Sequence, residues 1–458
     1  MKNDIQARYE QAQTLMQGML SKELTLNDAV FPHWIDDSDC FWYLRDTKDG
    51  KEFRWVDAAK VENMSAFDHD ALAKALSSAS GQTVDARDLP ITELTFILQP
   101  LQIQFSAFGK RWLFDSENTT CKEIEVPPQI EGLCSPDGKK AVFVRDHNLW
   151  VRDRITGKEN ALTEDGSAEY YYGGAPLAAD VQALWSPDSR HVLTHQLDLR
   201  EVTTRHLVHH VPQDGTIRPQ LTDYKMAYPG DKQVAGYRLI SINIETGDIQ
   251  AADYNQLPFY SMGVGFFTDE KLAWWADDNQ RAFFVDVERG AKTVRVVELN
   301  TQTGATRVLI EETSETFVKL KHNLLESIVF VPLPDSEELI WFSERSGWAH
   351  LYLYDMQSGE LKHRLTGGES SDDSRGQWIV RNIIEVDKES REVILQTAGR
   401  DKNISPYYRD ICRVDLDTGE LTPWVEGNFE HFVYCPADRD RQVATRAAFG
   451  SDSGDVNG

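Results

Sequence analysis

Residues 339–368, LIWFSERSGWAHLYLYDMQSGELKHRLTGG, decide the fold. Three short apolar runs are separated by two turn signals, Arg-Ser-Gly at 345–347 and Gln-Ser-Gly at 357–359. The middle run, residues 350–354, alternates leucine with tyrosine, and a period of two in β-forming residues predicts a strand that packs on both faces. The stretch therefore predicts an antiparallel meander.

The second turn signal recurs along the chain. An Asp or Asn, two variable residues and then Thr-Gly or Ser-Gly precede new β-rich runs, because a tight turn needs the positive φ that glycine adopts without strain. The glycines of this repeat are Gly157, Gly247, Gly304, Gly359 and Gly419. The last four are 55 to 60 residues apart, whereas 90 residues separate the first two. A Ser-Pro-Asp signal also opens strands at 135–137 and 186–188.

Imperfect repeats of this length, each holding a few strands, predict the blades of a β-propeller. We expect an all-β fold of about eight (seven to eight) four-stranded blades, with the last one incomplete and a short helix at the amino terminus. The expected domains are a helical segment at residues 1–30 and a propeller at residues 31–458. The 90-residue gap is expected to hold an insertion at residues 218–236, after a blade strand at 205–211.

The composition excludes several classes of function. The net charge of −26, from 74 acidic and 48 basic residues, argues against a nucleic-acid partner, because binding phosphates requires a basic face. The five cysteines form no Cys-x-x-Cys pair, which argues against structural zinc and a disulfide framework. No cofactor and no metal site are predicted.

The amino-terminal segment and the distribution of apolar residues indicate where in the cell the protein is expected. Residues 2–20 have apolar residues at helical spacing, which predicts an amphipathic helix. Charged residues interrupt this segment where a signal peptide would be apolar, and no 18-residue apolar run occurs anywhere. We expect no membrane association and a cytoplasmic location, or a periplasmic or secreted one if a leader has been removed.

Several stretches, in order, are similar to one known family. They are Ser-Pro-Asp-Gly at 135–138, Phe-Val-Arg-Asp-His-Asn-Leu-Trp at 143–150, Leu-Trp-Ser-Pro-Asp at 184–188, Lys-Met-Ala-Tyr-Pro-Gly at 225–230, and Ser-Glu-Arg-Ser-Gly-Trp at 343–348 running into His-Leu-Tyr-Leu-Tyr-Asp at 350–355. The chain resembles the amino-terminal propeller region of the dipeptidyl peptidase IV branch of the prolyl oligopeptidase family of serine peptidases.

The resemblance implies a propeller that caps a carboxy-terminal α/β-hydrolase domain with a Ser, Asp and His triad. We expect the chain to be a piece of a longer protein. The hydrolase domain lies outside this piece, so no catalytic residue is predicted within the chain. The nearest match to a Gly-x-Ser-x-Gly elbow, residues 450–454, has Asp452 at its centre.

The resemblance also implies two adjacent glutamates that hold the amino terminus of the peptide substrate. The corresponding place precedes Leu184 and reads Glu-Asp-Gly-Ser-Ala-Glu-Tyr-Tyr-Tyr-Gly-Gly at 164–174, without a Glu-Glu pair. Asp165 and Glu169 are the candidate replacements, and ordinary solvated loop acids are the alternative. Tyr170 is a candidate to line a peptide pocket or to lie in a buried strand. Arg111 lies inside a predicted strand and cannot be matched to the arginine with which the family binds the substrate carbonyl.

Two functions remain open at this point. The first is a non-catalytic propeller that gates peptide substrates for a serine peptidase, inactive without its hydrolase domain. Its expected partners are peptides and that missing domain, and the full-length protein is expected to be a homodimer. The alternative is a stand-alone propeller that serves as a protein- or peptide-binding scaffold. An inactive relative of the peptidases is a third reading.

Overall fold

The structure is a computed structural model that describes residues 2–20, 26–27, 30–35, 38–98, 101–125, 132–174, 181–212, 215–259, 262–264, 269–322, 328–367, 376–425, 427–434 and 447–451. Within these residues, seven antiparallel sheets of four or five strands form the blades of a β-propeller. The predicted fold class is confirmed. The chain divides into two compact units, residues 1–129 with 432–449 and residues 130–431 with 450–458.

The first unit holds both α-helices of the described residues and two four-stranded sheets, β1 to β4 and β5 to β8. Its elements are α1 (Lys2–Leu20), β1 (His33–Trp34), β2 (Cys40–Thr47), β3 (Gly50–Asp57), β4 (Glu62–Ser65), α2 (His69–Ser80), β5 (Thr92–Leu98), β6 (Leu101–Ala107), β7 (Lys110–Asp115) and β8 (Thr120–Ile124).

Helix α2 is capped at both ends. The Asp68 carboxylate accepts a hydrogen bond from the Ala71 N–H at 2.9 Å, which satisfies one of the unpaired donors of the first turn. Gly81 ends the helix in the left-handed conformation. Leu72 and Leu76 point from the helix into the core of this unit, where they are fully buried together with Phe105.

The second unit contains five of the seven sheets. Their strands are β9 (Leu133–Cys134), β10 (Lys140–Arg145), β11 (Asn148–Asp153) and β12 (Glu159–Ala161); β13 (Tyr170–Tyr172), β14 (Ala183–Trp185), β15 (His191–Asp198), β18 (Gly236–Asn243) and β19 (Ile249–Ala251); β22 (Ala273–Trp275), β23 (Arg281–Val287), β24 (Thr293–Asn300) and β25 (Thr306–Thr313); β26 (Val331–Leu333), β27 (Glu338–Ser343), β28 (His350–Asp355) and β29 (Leu361–Arg364); and β30 (Ile379–Asp387), β31 (Glu392–Ala398), β32 (Arg409–Asp415) and β33 (Leu421–Pro423).

Three two-stranded sheets complete the described strands. They are β16 (Thr204–His209) with β17 (Gln220–Lys225), β20 (Met262–Val264) with β21 (Asp269–Lys271), and β34 (Glu430–Tyr434) with β35 (Ala447–Ser451). A single 3-10 turn at Pro334–Ser336 precedes β27 in the described chain.

Strand β27 shows why the meander is packed on both faces. All six of its residues are buried. Leu339 and Trp341 belong to one hydrophobic cluster, whereas Ile340 and Phe342 belong to another cluster on the opposite face. Burial of each such side chain contributes roughly 1.5–3 kcal/mol, so one strand joins two layers of core. The meander predicted for residues 339–368 is confirmed.

The repeated Thr-Gly turns share one hydrogen-bonding pattern. In the fourth turn, the Asp355 carboxylate accepts the backbone N–H groups of Gln357 at 2.9 Å and Ser358 at 2.7 Å, and Gly359 has a φ of 79°. Because the acid folds the turn and the glycine tolerates the positive φ, both are required at this spacing. The same side-chain position is occupied in the other turns by Asp153, Asn243, Asn300 and Asp415.

Hydrogen bonds at the Ser-Pro-Asp turns, and at the tryptophans near them, join neighbouring sheets in the second unit. The Trp275 indole N–H donates to the Leu184 carbonyl at 3.1 Å, and the Asp188 N–H donates to the Asn279 side-chain oxygen at 2.8 Å. These two hydrogen bonds tie β22, and the turn that follows it, to β14 of the preceding sheet and the turn that follows β14. The corresponding bonds one sheet earlier run from Trp185 to Leu133 and from Asp137 to Ser189.

The insertion lies earlier than the sequence predicts. Residues 205–211 are not a blade strand, because among the described strands β16 pairs with β17 alone and forms a separate hairpin between β15 and β18. We call this hairpin, Thr204–His209 with Gln220–Lys225, the arm. Its sequence is typical of an extended strand, but Leu207 and Leu221 are exposed on it.

The described residues contain neither a membrane-spanning helix nor a cluster of metal ligands. Neither α1 nor α2 is long and apolar enough to cross a bilayer. Within the same residues, no three His, Cys, Asp or Glu side chains come together in an arrangement that could bind a metal ion.

Candidate functional site

The candidate acids lie on the loop between β12 and β13. Asn148 at the start of β11 fixes the middle of this loop, because its side-chain oxygen accepts the Gly166 N–H at 2.9 Å and the Thr163 hydroxyl at 3.1 Å. A Cβ atom on Gly166 would lie 2.2 Å from the His147 carbonyl oxygen, so only glycine fits there. The sequence from Asp165 onward is therefore held against the preceding sheet.

The end of the loop is fixed by β15. Tyr170 lies opposite Asp198 and Tyr172 opposite Gln196 in the antiparallel register. The Glu169 carbonyl accepts the Leu199 N–H at 2.8 Å. The backbone positions of both candidate acids therefore follow from strand pairing and loop hydrogen bonds.

Asp165 is held by a buried tyrosine. The Tyr172 hydroxyl donates to the Asp165 carboxylate at 2.6 Å and accepts from the Gln196 amide at 2.6 Å. Tyr172 and Gln196 are both buried. Burial raises the pKa of Tyr172 well above its ordinary value, and the hydrogen bond to Asp165 raises it further. The phenol therefore stays protonated and keeps donating to Asp165.

Glu169 has a different partner, which comes from the arm. The Lys225 ammonium lies 3.1 Å from a Glu169 carboxylate oxygen and 3.5 Å from the Arg200 carbonyl oxygen. The Lys225 side chain is 18% exposed, and that of Glu169 is 47% exposed. A primary ammonium is thus held here between a carboxylate and a backbone carbonyl.

Tyr170 lies beneath a guanidinium group. The Arg200 guanidinium carbon is 4.3 Å from the centre of the Tyr170 ring, a distance typical of a cation–π contact. Asp198 binds the same guanidinium through both carboxylate oxygens, at 2.7 and 3.0 Å. The hydrogen bonds from Arg200 lower the pKa of Asp198, so this carboxylate remains charged. Tyr170 is partly buried in β13, and both roles named for it stay predictions.

A buried histidine supports the end of this segment. His195 Nε2 lies 2.8 Å from the Gly174 carbonyl oxygen, which matches donation by its N–H. Burial lowers the pKa of His195 to about 4, so the ring is neutral at physiological pH and acts as a hydrogen-bonding post. It fixes the backbone just before residues 175–180, which lie outside the described residues.

Sequence reasoning missed Lys225, Arg200 and the pair of Tyr172 with Gln196. Lys225 opens the Lys-Met-Ala-Tyr-Pro-Gly stretch, so a signal was present without an indication of its partner. Arg200 carries no sequence signal.

Other predicted positions lie elsewhere. Arg111 is in β7 of the first unit, where its guanidinium donates to the Glu93 carbonyl at 2.8 Å. That contact agrees with the strand position predicted for Arg111. Asp452, the centre of the nearest elbow-like motif, lies outside the described residues.

Comparison with known proteins decides the family. The model of the dipeptidyl peptidase IV N-terminal region matches residues 94–448. The chain belongs to this family.

Members of the dipeptidyl peptidase IV family match over most of the chain. The dipeptidyl peptidase 4 of Arthroderma otae is 24% identical over 341 residues, which are 71% of this chain and 40% of the relative. A relative from Emericella nidulans is 22% identical over 457 residues, covering 90% of this chain and 53% of its own length. The chain therefore spans about half the length of these curated relatives.

A solved structure shares the fold. The crystal structure of Porphyromonas gingivalis dipeptidyl peptidase 4 matches with a TM-score of 0.55 and 16% identity, over 92% of this chain and 57% of that one. This likeness agrees with the propeller assignment made from the sheets.

Proposed function

We propose that this chain is the non-catalytic, substrate-gating propeller region of a dipeptidyl peptidase IV-like serine peptidase. Peptide hydrolysis would be carried out by an α/β-hydrolase domain outside these residues. The family match over residues 94–448 carries the proposal, and the relatives' extra length supports it. The substrates would be peptides that reach the hydrolase domain through the propeller.

The surroundings of Asp165 and Glu169 support a role in holding the amino terminus of a peptide. A charged amine that leaves water needs a nearby carboxylate and further acceptors. Glu169 and the Arg200 carbonyl supply both to the Lys225 ammonium. Asp165, fixed by Tyr172, adds a second negative charge on the same loop. In this proposal Glu169 is the primary amine ligand, and Asp165 and Tyr170 shape the surrounding surface.

Turnover by the purified chain tests the division of labour. The chain should release no chromophore from Gly-Pro or Ala-Pro substrates, because acyl transfer requires an activated nucleophile and an oxyanion hole. Sequencing the gene beyond codon 458 should show an in-frame Gly-x-Ser-x-Gly motif and a later histidine. Turnover that persists through repurification would overturn the non-catalytic assignment. A native stop codon directly after codon 458 would favour the scaffold function.

The proposal extends to the assembly of the full-length protein. We expect a homodimer once the hydrolase domain is present, and light scattering coupled to size-exclusion chromatography measures it. A monomer at all accessible concentrations would contradict this part.

A further inference from the structure

The arm places a lysine where a peptide amine would be expected to bind. Lys225 is the last residue of β17, and its ammonium contacts the Glu169 carboxylate at 3.1 Å and the Arg200 carbonyl at 3.5 Å. A peptide amino terminus is also a primary ammonium with three N–H donors. The two groups therefore require the same acceptors at this site.

The acceptors are held in place independently of Lys225. The Arg200 N–H donates to the Asp198 carboxylate at 3.1 Å, and the Val202 N–H donates to the Leu199 carbonyl at 2.9 Å. These two bonds fix the turn that presents the Arg200 carbonyl. The Glu169 backbone is fixed by β15 through its bond to Leu199. Removing the lysine head would therefore leave the backbone of both acceptor residues in place.

Other residues anchor the base of the arm, where Lys225 lies opposite Thr204. The Arg289 guanidinium donates to the Tyr228 carbonyl at 3.0 Å and to the Asp231 carbonyl. Asp231 also binds the Arg205 guanidinium at 2.7 Å. Because these contacts hold the base of the arm, Lys225 can leave Glu169 by rotating its four-carbon side chain alone.

We propose that Lys225 is a built-in competitor that occupies the amine-binding place and must be displaced by the amino terminus of a peptide. This inference rests on the proposed function and adds a regulatory side chain to its amine-binding place. Peptides with a free amino terminus would bind at Glu169 by exchanging one ammonium for another. Lys225 would thereby weaken the binding of every peptide amine at Glu169 by the same factor.

The magnitude follows from the strength of such an ion pair. Partly exposed pairs shift an equilibrium by a factor of about five at most, so the lysine should weaken amine binding by roughly threefold to fivefold. An acetylated amino terminus carries no charge and gains nothing from removal of Lys225.

Binding of a Gly-Pro-containing tripeptide with a free or acetylated amino terminus tests the inference by isothermal titration calorimetry. Lys225→Met should bind the free-amine peptide about threefold to fivefold more tightly than wild type. Lys225→Arg, which keeps the positive charge, should bind it with wild-type affinity. Lys388→Met is the matched control, because it removes one charge and one ion pair, with Asp335 at 2.6 Å, outside the site. Its affinity should not change, and far-UV circular dichroism checks that each variant folds.

The outcomes separate the two proposals. If wild type prefers the free-amine peptide but Lys225→Met and Lys225→Gln bind it no more tightly, Lys225 is a structural anchor and the inference is wrong. In that case the proposed function stands. If wild type and every variant bind neither peptide, the amine-holding function fails and the inference fails with it.

Discussion

Replacing Tyr172 with phenylalanine probes the hydrogen-bonded chain that fixes the candidate site. Tyr172→Phe removes the bond to Asp165 at 2.6 Å and the bond from Gln196 at 2.6 Å. Gln196 is 4% exposed, so its amide would be left buried without this acceptor. A hydrogen bond to a charged group contributes roughly 1.5–3 kcal/mol, and a stranded buried donor costs about 1–3 kcal/mol. Allowing for overlap, we expect a loss of about 2–4 kcal/mol.

Thermal unfolding measures this loss. An unfolding entropy of about 2.1 cal/mol/K per residue amounts to roughly 0.6 kcal/mol/K for a unit of about 300 residues, so the melting temperature should fall by about 3–6 °C. Tyr171→Phe is the matched control on the adjacent residue, because no hydrogen bond from the Tyr171 hydroxyl is found within the described part of the chain. It should change the melting temperature by less than about 1 °C. A Tyr172→Phe melting temperature equal to that of the control would refute the reasoning.

Three further substitutions test local parts of the fold by thermal unfolding. Asp68→Ala removes the cap of α2 and should cost about 1 kcal/mol, and an unchanged melting temperature would contradict the capping role. Gly166→Ala should destabilise more than Gly157→Ala, because the added Cβ clashes with a carbonyl only at 166, and equal losses would count against that packing. Burial disfavours charge on Glu338, but hydrogen bonds from partners that include Arg391 outweigh burial and lower the Glu338 pKa. Because the folded-state pKa is the lower one, ionised Glu338 stabilises the fold above the unfolded-state pKa, and this contribution is lost as the pH falls below about 4. Glu338→Gln should therefore have a lower melting temperature than wild type at pH 7, and its melting temperature should fall less between pH 5 and pH 3. A variant profile parallel to that of wild type would argue against the linkage.

Local patterns predicted the repeated parts of the fold well. The leucine and tyrosine alternation of residues 350–354 identified a strand between two cores, and both clusters are present on its faces. The Asp68 cap of α2 likewise depends only on neighbours along the chain. The Thr-Gly turns were recognisable for the same reason.

The insertion shows where such patterns fail. Residues 205–211 are predicted as a blade strand, yet residues 204–209 form one side of the exposed arm. The local sequence indicates that a segment is extended, but it does not indicate which strand becomes its partner. The boundary therefore depended on long-range pairing that the local pattern does not contain.

The contacts of the candidate site were also beyond local reasoning. Glu169 and Lys225 are far apart in sequence and meet because β15 and the arm bring them together. The sequence identified Asp165, Glu169 and Tyr170 through a resemblance, but their partners depend on the register of β13 with β15. Their role in binding substrate stays a prediction.

The preference of Glu169 for a charged amino terminus tests the central claim most directly. Fluorescence anisotropy with a tripeptide labelled at its carboxyl end compares free and acetylated amino termini on wild type and Glu169→Gln. We expect wild type to bind the free-amine peptide more tightly and Glu169→Gln to bind both peptides equally. Equal binding of the two peptides by wild type, or an undiminished preference in Glu169→Gln, would contradict the account.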